Sequence, residues 1–136
     1  MKKLLFLFPI ILVFINACSD GDMPDINGMW QLKTIEDANH NVWSIDTVFY
    51  AFQRQSVFSY TILHEEEDNS AAALQIYGFI DFPDNDHLHI QLDKAYYEHI
   101  YYVFWKNTEI TYDIVQLDSK RLVLSQNGEI YHFKKF

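Results

Sequence analysis

Three β-strands and the two turns between them can be recognised in residues 109–135, EITYDIVQLDSKRLVLSQNGEIYHFKK. The segments are rich in β-branched and aromatic residues, and apolar side chains alternate with polar ones, which is the pattern of half-buried strands. Asp118-Ser119-Lys120 separates the first two strands, and Asn127-Gly128, a pair favoured in two-residue hairpins, separates the last two. The predicted strands are Glu109–Leu117, Arg121–Gln126 and Glu129–Lys135.

The same alternation extends back to residue 29 and predicts five more strands separated by polar turns, the strongest turn signal being Pro83-Asp84-Asn85-Asp86. Sequential hairpins of eight strands avoid exposed edges by closing. The sequence therefore predicts an all-β fold, an eight-stranded antiparallel barrel, with a two-sheet sandwich as the alternative. The five further strands are Met29–Glu36, Thr47–Gln53, Val57–Leu63, Ala72–Phe82 and His87–Asp93.

The residues expected to face the barrel interior are bulky. In the first strand, Trp30, Leu32 and Thr34 are predicted to share one face. An eight-stranded barrel is either filled by its side chains or encloses one small molecule, so large inward residues predict a filled lumen and a shallow site at the mouth. The inward candidates include Trp30, Leu32, Tyr50, Phe52, Phe58, Tyr60, Tyr77, Phe79, Tyr112, Ile114 and Phe133.

Composition indicates one domain and excludes several classes of protein. Of the 136 residues, 49% are hydrophobic and 17% aromatic, and there is one cysteine. These values exclude collagen-like, coiled-coil and disordered chains and a disulfide framework. After residue 17 the chain has eight basic and 19 acidic residues, a net charge of −11. Such a net charge repels phosphate backbones and anionic membrane surfaces, so no nucleic-acid partner is expected.

Residues 1–17 have the layout of a secretory signal peptide. A basic start precedes an apolar run over residues 4–15, which is shorter than the roughly 20 residues that cross a bilayer as a helix. The stretch Ile15-Asn16-Ala17-Cys18 resembles a bacterial lipobox, with Asn16 where a small or apolar residue is usual. This resemblance implies lipid modification of Cys18 and a protein anchored to a membrane without spanning it.

Residues 18–26 are expected to form the lipidated cysteine and an acidic tether ahead of the barrel domain, residues 27–136. In lipoprotein sorting as known for well-studied bacteria, Ser19 after the cysteine indicates the outer membrane. The run Ser19-Asp20-Gly21-Asp22 resembles the export signal of surface lipoproteins in Bacteroidetes. We therefore expect a lipid-anchored outer-membrane protein and, as a further step, exposure at the cell surface.

The domain resembles a known family at both of its ends. Asn27-Gly28-Met29-Trp30 matches the Gly-x-Trp start of lipocalin-like barrels, and Arg121-Leu122-Val123-Leu124 and Tyr131-His132-Phe133 are similar to their last strands. The whole predicted domain thus resembles the lipocalin-like domains of Bacteroidetes lipoproteins. The resemblance implies that Trp30 and Arg121 pack together at the closed end of the barrel, in a structural role.

Residues 94–107 fit two conformations. Tyr97, Tyr101, Phe104 and Trp105 fit one helical face, whereas the β-branched and aromatic content fits a strand, and the sequence leaves both open. If exposed together, Tyr96, Tyr97, Tyr101, Tyr102 and Trp105 would form a binding platform. A short helix or flap near residues 95–106 would cover the open end of the barrel. Tyr97, Tyr101 and Trp105 are then the candidate ligand-binding residues, for an apolar molecule or a sugar ring. The alternative is that these aromatic side chains belong to the core.

Metal and catalytic motifs are incomplete in the sequence. His87 and His89 share a strand face but lack a placed third ligand, so no metal site is assigned. His64-Glu65-Glu66-Glu67-Asp68 begins like a zinc-protease helix, but an aspartate stands where the second histidine is needed. There is no nucleophile elbow or phosphate-binding glycine loop, and no free thiol once Cys18 is acylated. We expect no catalytic residues, no cofactor and no enzymatic activity.

Together these features predict an outer-membrane lipoprotein whose barrel is a binding or accessory module for a small apolar or carbohydrate ligand. The alternative is a protein-interaction module, an inhibitor or a component of an envelope complex, with an unidentified protein partner. Exposed aromatic residues around a concavity would favour the first function. A filled barrel with an apolar patch on its outer face would favour the second.

Overall fold

The computed structural model describes residues 25–65, 67 and 71–136, and within them eight strands and one 3₁₀ helix. The predicted signal peptide, Cys18 and residues 19–24 of the tether lie outside the described residues. The strands are β1 Gly28–Glu36, β2 Val42–Gln53, β3 Val57–Glu65, β4 Ala71–Asp84, β5 His87–Leu92, β6 Glu109–Leu117, β7 Arg121–Gln126 and β8 Glu129–Lys135, and the 3₁₀ helix is Lys94–Tyr102.

Each strand pairs with the next one along the chain, and β8 returns to pair with β1, so the sheet is a closed barrel. The predicted eight-stranded antiparallel barrel is confirmed, and the sandwich alternative is wrong. Because the sheet is closed, the backbone at both edges of every strand is paired with a neighbouring strand. The hydrophobic core draws on residues from Ile26 to Phe133. Residues 25–136 therefore form a folding unit that closes on its own core.

The antiparallel order gives the barrel two ends. We call base the end that carries residues 25–27, the β2–β3, β4–β5 and β6–β7 turns and the C-terminal Phe136. We call mouth the end that carries the β1–β2, β3–β4 and β7–β8 connections and the 3₁₀ helix between β5 and β6. The chain enters at the base, so the mouth is the end farther from the N-terminal segment.

Aromatic side chains fill the barrel interior. The ring of Tyr50 lies 4.7 Å from that of Phe133, 5.1 Å from that of Phe58 and 5.5 Å from that of Tyr60, measured between centroids. Contacts at these separations are typical of edge-to-face and tilted aromatic packing. The lumen is thus occupied by side chains, as their size predicted. The largest of the fully buried residues are Trp30, Tyr50, Tyr60, Tyr112, Tyr131, Phe52 and Phe58.

The first hairpin departs from simple alternation. The register of β1 shifts between Leu32 and Thr34, so the inward residue after Leu32 is Ile35, which is buried, and the prediction for Thr34 is wrong. The strand β2 begins at Val42, five residues before the predicted start. The register of β2 with β3 pairs Val48 with Ile62, Tyr50 with Tyr60, and Phe52 with Phe58. The last four are buried, as predicted for inward residues.

In β4 the predicted inward face is wrong. Tyr77 and Phe79 are 40% and 53% exposed on the outside, whereas Ile76 and Gly78 face the interior. Strands β4 and β5 approach so closely that a Cβ at Gly78 would lie 2.4 Å from the carbonyl oxygen of Gln91. A glycine inside the barrel allows this approach and leaves the large aromatic neighbours on the surface.

The ambiguous segment after β5 contains the 3₁₀ helix Lys94–Tyr102, so its strand alternative is wrong there. Asp93 caps the helix, because its carboxylate accepts a hydrogen bond from the backbone N–H of Ala95 at 3.0 Å. Residues of a 3₁₀ helix advance by about 120° each, so Tyr97 and Tyr101, four residues apart, project in different directions. An α-helix would have placed them on one face.

Candidate functional site

A cleft of about 530 Å³ opens at the mouth between the 3₁₀ helix and the neighbouring ends of β3 and β4. We call it the mouth cleft. Ile62 and Leu74 face each other in the β3–β4 register and are half-buried, so they form an apolar floor. Its volume is within the range of small-molecule sites. The mouth cleft is lined by Ile62, His64, Leu74, His99, Tyr101 and Tyr102.

Two adjacent tyrosines form one wall of the mouth cleft. Tyr101 is 63% exposed and Tyr102 45% exposed, with ring centroids 4.6 Å apart and planes inclined by 40°. Electrostatic repulsion from Tyr102 and a hydrogen bond with its side chain raise the pKa of Tyr101, which keeps the phenol neutral. The wall therefore presents uncharged rings with hydroxyl groups, which can pack on an apolar or sugar ring and hydrogen-bond a polar end.

The wall is fixed to the barrel interior. The buried hydroxyl of Tyr60 donates a hydrogen bond of 3.1 Å to the backbone carbonyl of Tyr102. Burial raises the pKa of Tyr60, so its hydroxyl remains a donor. The last residues of the helix are thus tied to β3, which also supplies the floor residue Ile62.

Trp105 closes the lumen at the mouth. Its ring centroid is 5.8 Å from that of Tyr60, 6.0 Å from that of Tyr50 and 6.3 Å from that of Tyr112. Val103, two residues earlier, is buried in the same core. The Trp105 indole Nε1 is buried and has no hydrogen-bond partner among the described residues. Such a donor costs free energy, so this end of the core is less well satisfied than a fully paired one.

The structure separates the three residues that the sequence proposed for ligand binding. Tyr101 lines the mouth cleft, and the half-buried Trp105 packs against the end of the core. Tyr97 lies towards β5, where its hydroxyl is hydrogen-bonded to Gln91 Nε2 at 3.1 Å. Tyr97, Tyr101 and Trp105 therefore do not share one face, because a 3₁₀ helix and the turn after it do not keep one, and their role in ligand binding stays a prediction.

Sequence reasoning missed the floor and the imidazoles of the mouth cleft. Neither Ile62 nor Leu74 was proposed as a binding residue. Their pairing depends on the β3–β4 register, which no local motif specifies. His64 and His99 come from different elements and meet only in the folded barrel.

At the base, the cation beside Trp30 is Lys135. The Trp30 indole N–H donates to the carbonyl of Ile26 at 2.8 Å, and Lys135 Nζ lies 4.4 Å from the centroid of the ring. The same ammonium donates to the carbonyl of Asn27. Arg121 is exposed on the outer face. The implied pair of Trp30 with Arg121 is therefore corrected, since the β1–β8 register places Lys135 directly beside Trp30.

The histidines proposed as a weak metal pair lie between carboxylates on the outer face of β5. His89 contacts Asp81 on β4 at 2.6 Å and Glu109 on β6 at 3.1 Å. His87 contacts Asp84 at 2.7 Å through Nδ1, and its Nε2 lies 2.9 Å from Asp113.

Both ring nitrogens of each histidine thus face a carboxylate. The carboxylates accept hydrogen bonds from the N–H groups of the imidazole. In the described ranges no group of three His, Cys, Asp or Glu side chains is arranged to coordinate a metal.

Buried hydroxyls in the core are arranged for packing. Tyr50 and Tyr112 share a hydrogen bond of 2.9 Å, and burial raises the pKa of each well above that of a free tyrosine. Both therefore stay neutral and act as hydrogen-bonding groups. Among the described helices, none has the length and apolarity of a membrane span.

Comparison with known proteins points to one family. A family model described as a lipocalin-like domain matches residues 11–136. A crystallised lipocalin-like protein from Bacteroides uniformis is 25% identical, with a TM-score of 0.70 over 82% of this chain and 99% of that one. No curated protein gives a significant match.

Two further crystal structures are similar in fold. An uncharacterized protein from Bacteroides eggerthii is 23% identical, with a TM-score of 0.65 over 82% of this chain and 100% of that one. Japanin from Rhipicephalus appendiculatus, crystallised with cholesterol, is 13% identical, with a TM-score of 0.58 over 85% of this chain and 79% of that one. At these identities the likeness concerns the fold alone.

Proposed function

Because this chain belongs to the lipocalin-like domain family, whose barrel is typical of ligand-binding proteins, we propose that it binds a small, mainly apolar molecule in the mouth cleft. One observation carries the proposal. The lumen is filled and closed by Trp105, whereas a cleft of about 530 Å³ remains open beside it, with an apolar floor and a tyrosine wall. The protein acts without catalysis, as a binding or accessory module.

The lining of the mouth cleft sets the chemistry of its ligand. The aliphatic floor of Ile62 and Leu74 favours an apolar body, and the tyrosine rings favour a flat or ring-shaped one. The hydroxyls of Tyr101 and Tyr102 and the imidazole of His99 suit a ligand with a polar end. A carbohydrate ligand would use the same rings but would leave the aliphatic floor without an apolar partner.

The proposed location is the outer membrane, through a lipid on Cys18. The lipobox resemblance and the short tether support it. An anchor at the base leaves the mouth cleft at the opposite end, open to solvent. Replacing Cys18 with Ala is expected to release the protein from membranes. Unchanged fractionation, with no acyl mass on the native N-terminal peptide, would contradict the anchor.

A fluorescence titration tests the binding site. Residues 19–136 are titrated with the neutral apolar probe N-phenyl-1-naphthylamine. Tyr102→Ala is expected to weaken binding by about tenfold, since it removes an aromatic contact of roughly 1.4 kcal/mol. Tyr77→Ala, at another half-exposed tyrosine outside the cleft, is the matched control and is expected to leave affinity unchanged. Equal effects of the two variants would contradict the mouth cleft as the site.

A second function, protein interaction, is favoured by a different observation. Val57 and Phe79 are opposite each other on the outer face of β3 and β4 and are 36% and 53% exposed, and Tyr77 is exposed nearby. A filled barrel with such an outer patch is what a protein-interaction module requires.

Photo-crosslinking in cells tests the second function. A discrete adduct from a photoreactive residue at position 79, and none from position 115, which is 61% exposed on β6, would support it. No adduct from either position would exclude it.

A further inference from the structure

Positive charge is concentrated at one place on an acidic protein. A cleft of about 480 Å³ on the outer face of β1 and β6–β8 is lined by Lys33, Lys120, Arg121 and Lys134, together with Gln116 and His132. We call it the basic cleft. These four cations are half of the eight basic residues that follow residue 17, in a segment that carries 19 acids. The distribution of charge is therefore strongly uneven.

Most of these cations have no acidic partner. Lys33 pairs with Asp46 at 2.6 Å. Across the described ranges, no carboxylate lies within ion-pair distance of the side chains of Lys120, Arg121 or Lys134. The lack of neutralisation leaves the positive field of the cleft available to an external anion.

The fold places two of the cations side by side. Arg121 and Lys134 are directly opposite each other in the β7–β8 register, an arrangement that destabilises a sheet when the charges are alike. Asp118, the acid at the adjoining turn, accepts the backbone N–H groups of Lys120 and Arg121 and the side chain of Gln116, each at 2.8 Å. Asp118 thus shapes the turn that presents the cations. Their repulsion is relieved when an anion binds between them.

The basic cleft lies next to the point where the chain enters the barrel. Asp25, the first described residue, borders a surface hollow with Leu117, Ser119 and Lys135, at the same β6–β7 turn that carries Lys120. Six residues lie between Cys18 and Asp25, which are thus seven residue steps apart. That length of chain reaches at most about 25 Å at 3.6 Å per residue. A lipid on Cys18 therefore keeps this part of the base near the lipid headgroups.

We propose that the basic cleft docks the barrel on the membrane by binding the phosphate groups of anionic lipid headgroups. Arginine binds phosphate through two parallel N–H groups, and lysine binds it as a point charge. A cationic surface beside a lipid chain also supplies the second signal that stable anchoring requires. Docking turns the base towards the bilayer and the mouth cleft away from it. The inference rests on the proposed anchor, but the binding surface does not include Cys18.

Vesicle sedimentation of residues 19–136, which lack the anchor, tests the cleft alone. Binding is expected to vesicles of phosphatidylcholine mixed with phosphatidylglycerol, to be absent with phosphatidylcholine alone, and to fall as salt is raised. Replacing Arg121 and Lys134 together by Gln is expected to weaken binding by about thirtyfold, since each cation near an anionic surface contributes about fivefold.

The matched control replaces Lys94 and Lys106 together by Gln. These exposed lysines flank the 3₁₀ helix at the mouth, so the control removes the same charge from the opposite end. The control is expected to bind vesicles as the parent does. The Arg121 and Lys134 variant is expected to unfold at the same or a higher temperature than the parent, because it loses a like-charge pair.

Three outcomes would overturn the inference. The first is the absence of binding to anionic vesicles. The second is an equal loss of vesicle binding in both double variants, which would mean that binding depends on net charge and not on the position of the cations. The third is displacement from vesicles by inorganic phosphate at matched ionic strength, which would make the cleft a site for a free anion. The acyl mass on the native N-terminal peptide tests the anchor independently of the cleft, so either idea can fail without the other.

Discussion

The tryptophans at the two ends of the barrel differ in how their indole N–H groups are paired, and the base also holds one unpaired buried acceptor, Gln55 Oε1, at the β2–β3 turn. At the base, the indole N–H of Trp30 is hydrogen-bonded to Ile26, and Lys135 both covers the ring and bonds to Asn27. At the mouth, the indole N–H of Trp105 has no partner among the described residues, and exposed tyrosines line an open cleft. The indole N–H of Trp30 therefore has a hydrogen-bond acceptor, whereas that of Trp105 has none among the described residues.

This difference indicates that the base stabilises the fold and that the mouth binds the ligand. Paired and buried groups at the base stabilise the closed sheet where the chain begins and ends. The mouth combines exposed aromatic rings with an open cleft, which is typical of ligand-binding sites. Binding is therefore expected at the mouth, and most of the sensitivity of folding to mutation at the base.

The largest expected effect is on stability at the base. Trp30→Ala removes a fully buried ring and is expected to lower the free energy of unfolding by about 3–5 kcal/mol. Trp43→Ala, at a tryptophan that is 51% exposed on β2, is the control and is expected to cost less than about 1 kcal/mol. Urea unfolding measures both. Similar losses for the two variants would break the comparison.

A pair of phenylalanine substitutions separates hydrogen bonding from ring size. Trp30→Phe leaves the Ile26 carbonyl without its donor and is expected to cost about 1–3 kcal/mol. Trp105→Phe removes an N–H that has no partner, so its loss is expected to be clearly smaller. The two variants are compared by urea unfolding. A larger loss at Trp105 would contradict the pairing assigned to the two indole N–H groups.

The neighbouring lysines Lys134 and Lys135 are expected to contribute differently to stability. Lys135→Gln is expected to cost about 1–2 kcal/mol, because the cation–π contact and the bond to Asn27 are lost. Lys134→Gln relieves repulsion with Arg121 and is expected to change stability by less than about 0.5 kcal/mol. Thermal unfolding of the two variants gives the order. The reverse order would contradict the role assigned to Lys135.

The smallest effect is expected on the outer wall between the ends, and it depends on pH. The hydrogen bond to Asp84 raises the pKa of His87. Burial opposes the charge of His89, but its hydrogen bonds to Asp81 and Glu109 outweigh burial and raise its pKa.

A raised folded-state pKa means that the stabilisation is complete below the unfolded value of about 6.5 and is lost as pH rises through the folded value. Replacing both histidines by Gln should therefore cost most at acidic to neutral pH and least in alkali. Unfolding curves recorded across this pH range test the trend. A cost that grows as pH rises would contradict these partners.

Much of the fold could be predicted because its strands carry local signals. Glu109–Leu117, Arg121–Gln126 and Glu129–Lys135 have the predicted bounds, since alternation and the Asn127-Gly128 turn are both local. In β4, by contrast, both faces carry apolar residues. Size favoured Tyr77 as the inward side chain, whereas close approach of two strands requires glycine at position 78.

The site was harder to predict, because it depends on features that are not local. The period of the helix after β5 separates Tyr97 from Tyr101, and the chain beyond the helix takes Trp105 into the core. The floor comes from a strand register. A basic residue over Trp30 was expected, but the choice of Lys135 over Arg121 follows from the β1–β8 pairing.

Methyl NMR of residues 19–136 titrated with N-phenyl-1-naphthylamine tests the central claim most directly, because it locates the bound probe. We predict the largest shifts at the methyl groups of Ile62 and Leu74, with little change at Leu32 and Ile90 in the filled lumen. Dominant shifts at Leu32 and Ile90 would place the probe inside the barrel and contradict binding in the mouth cleft.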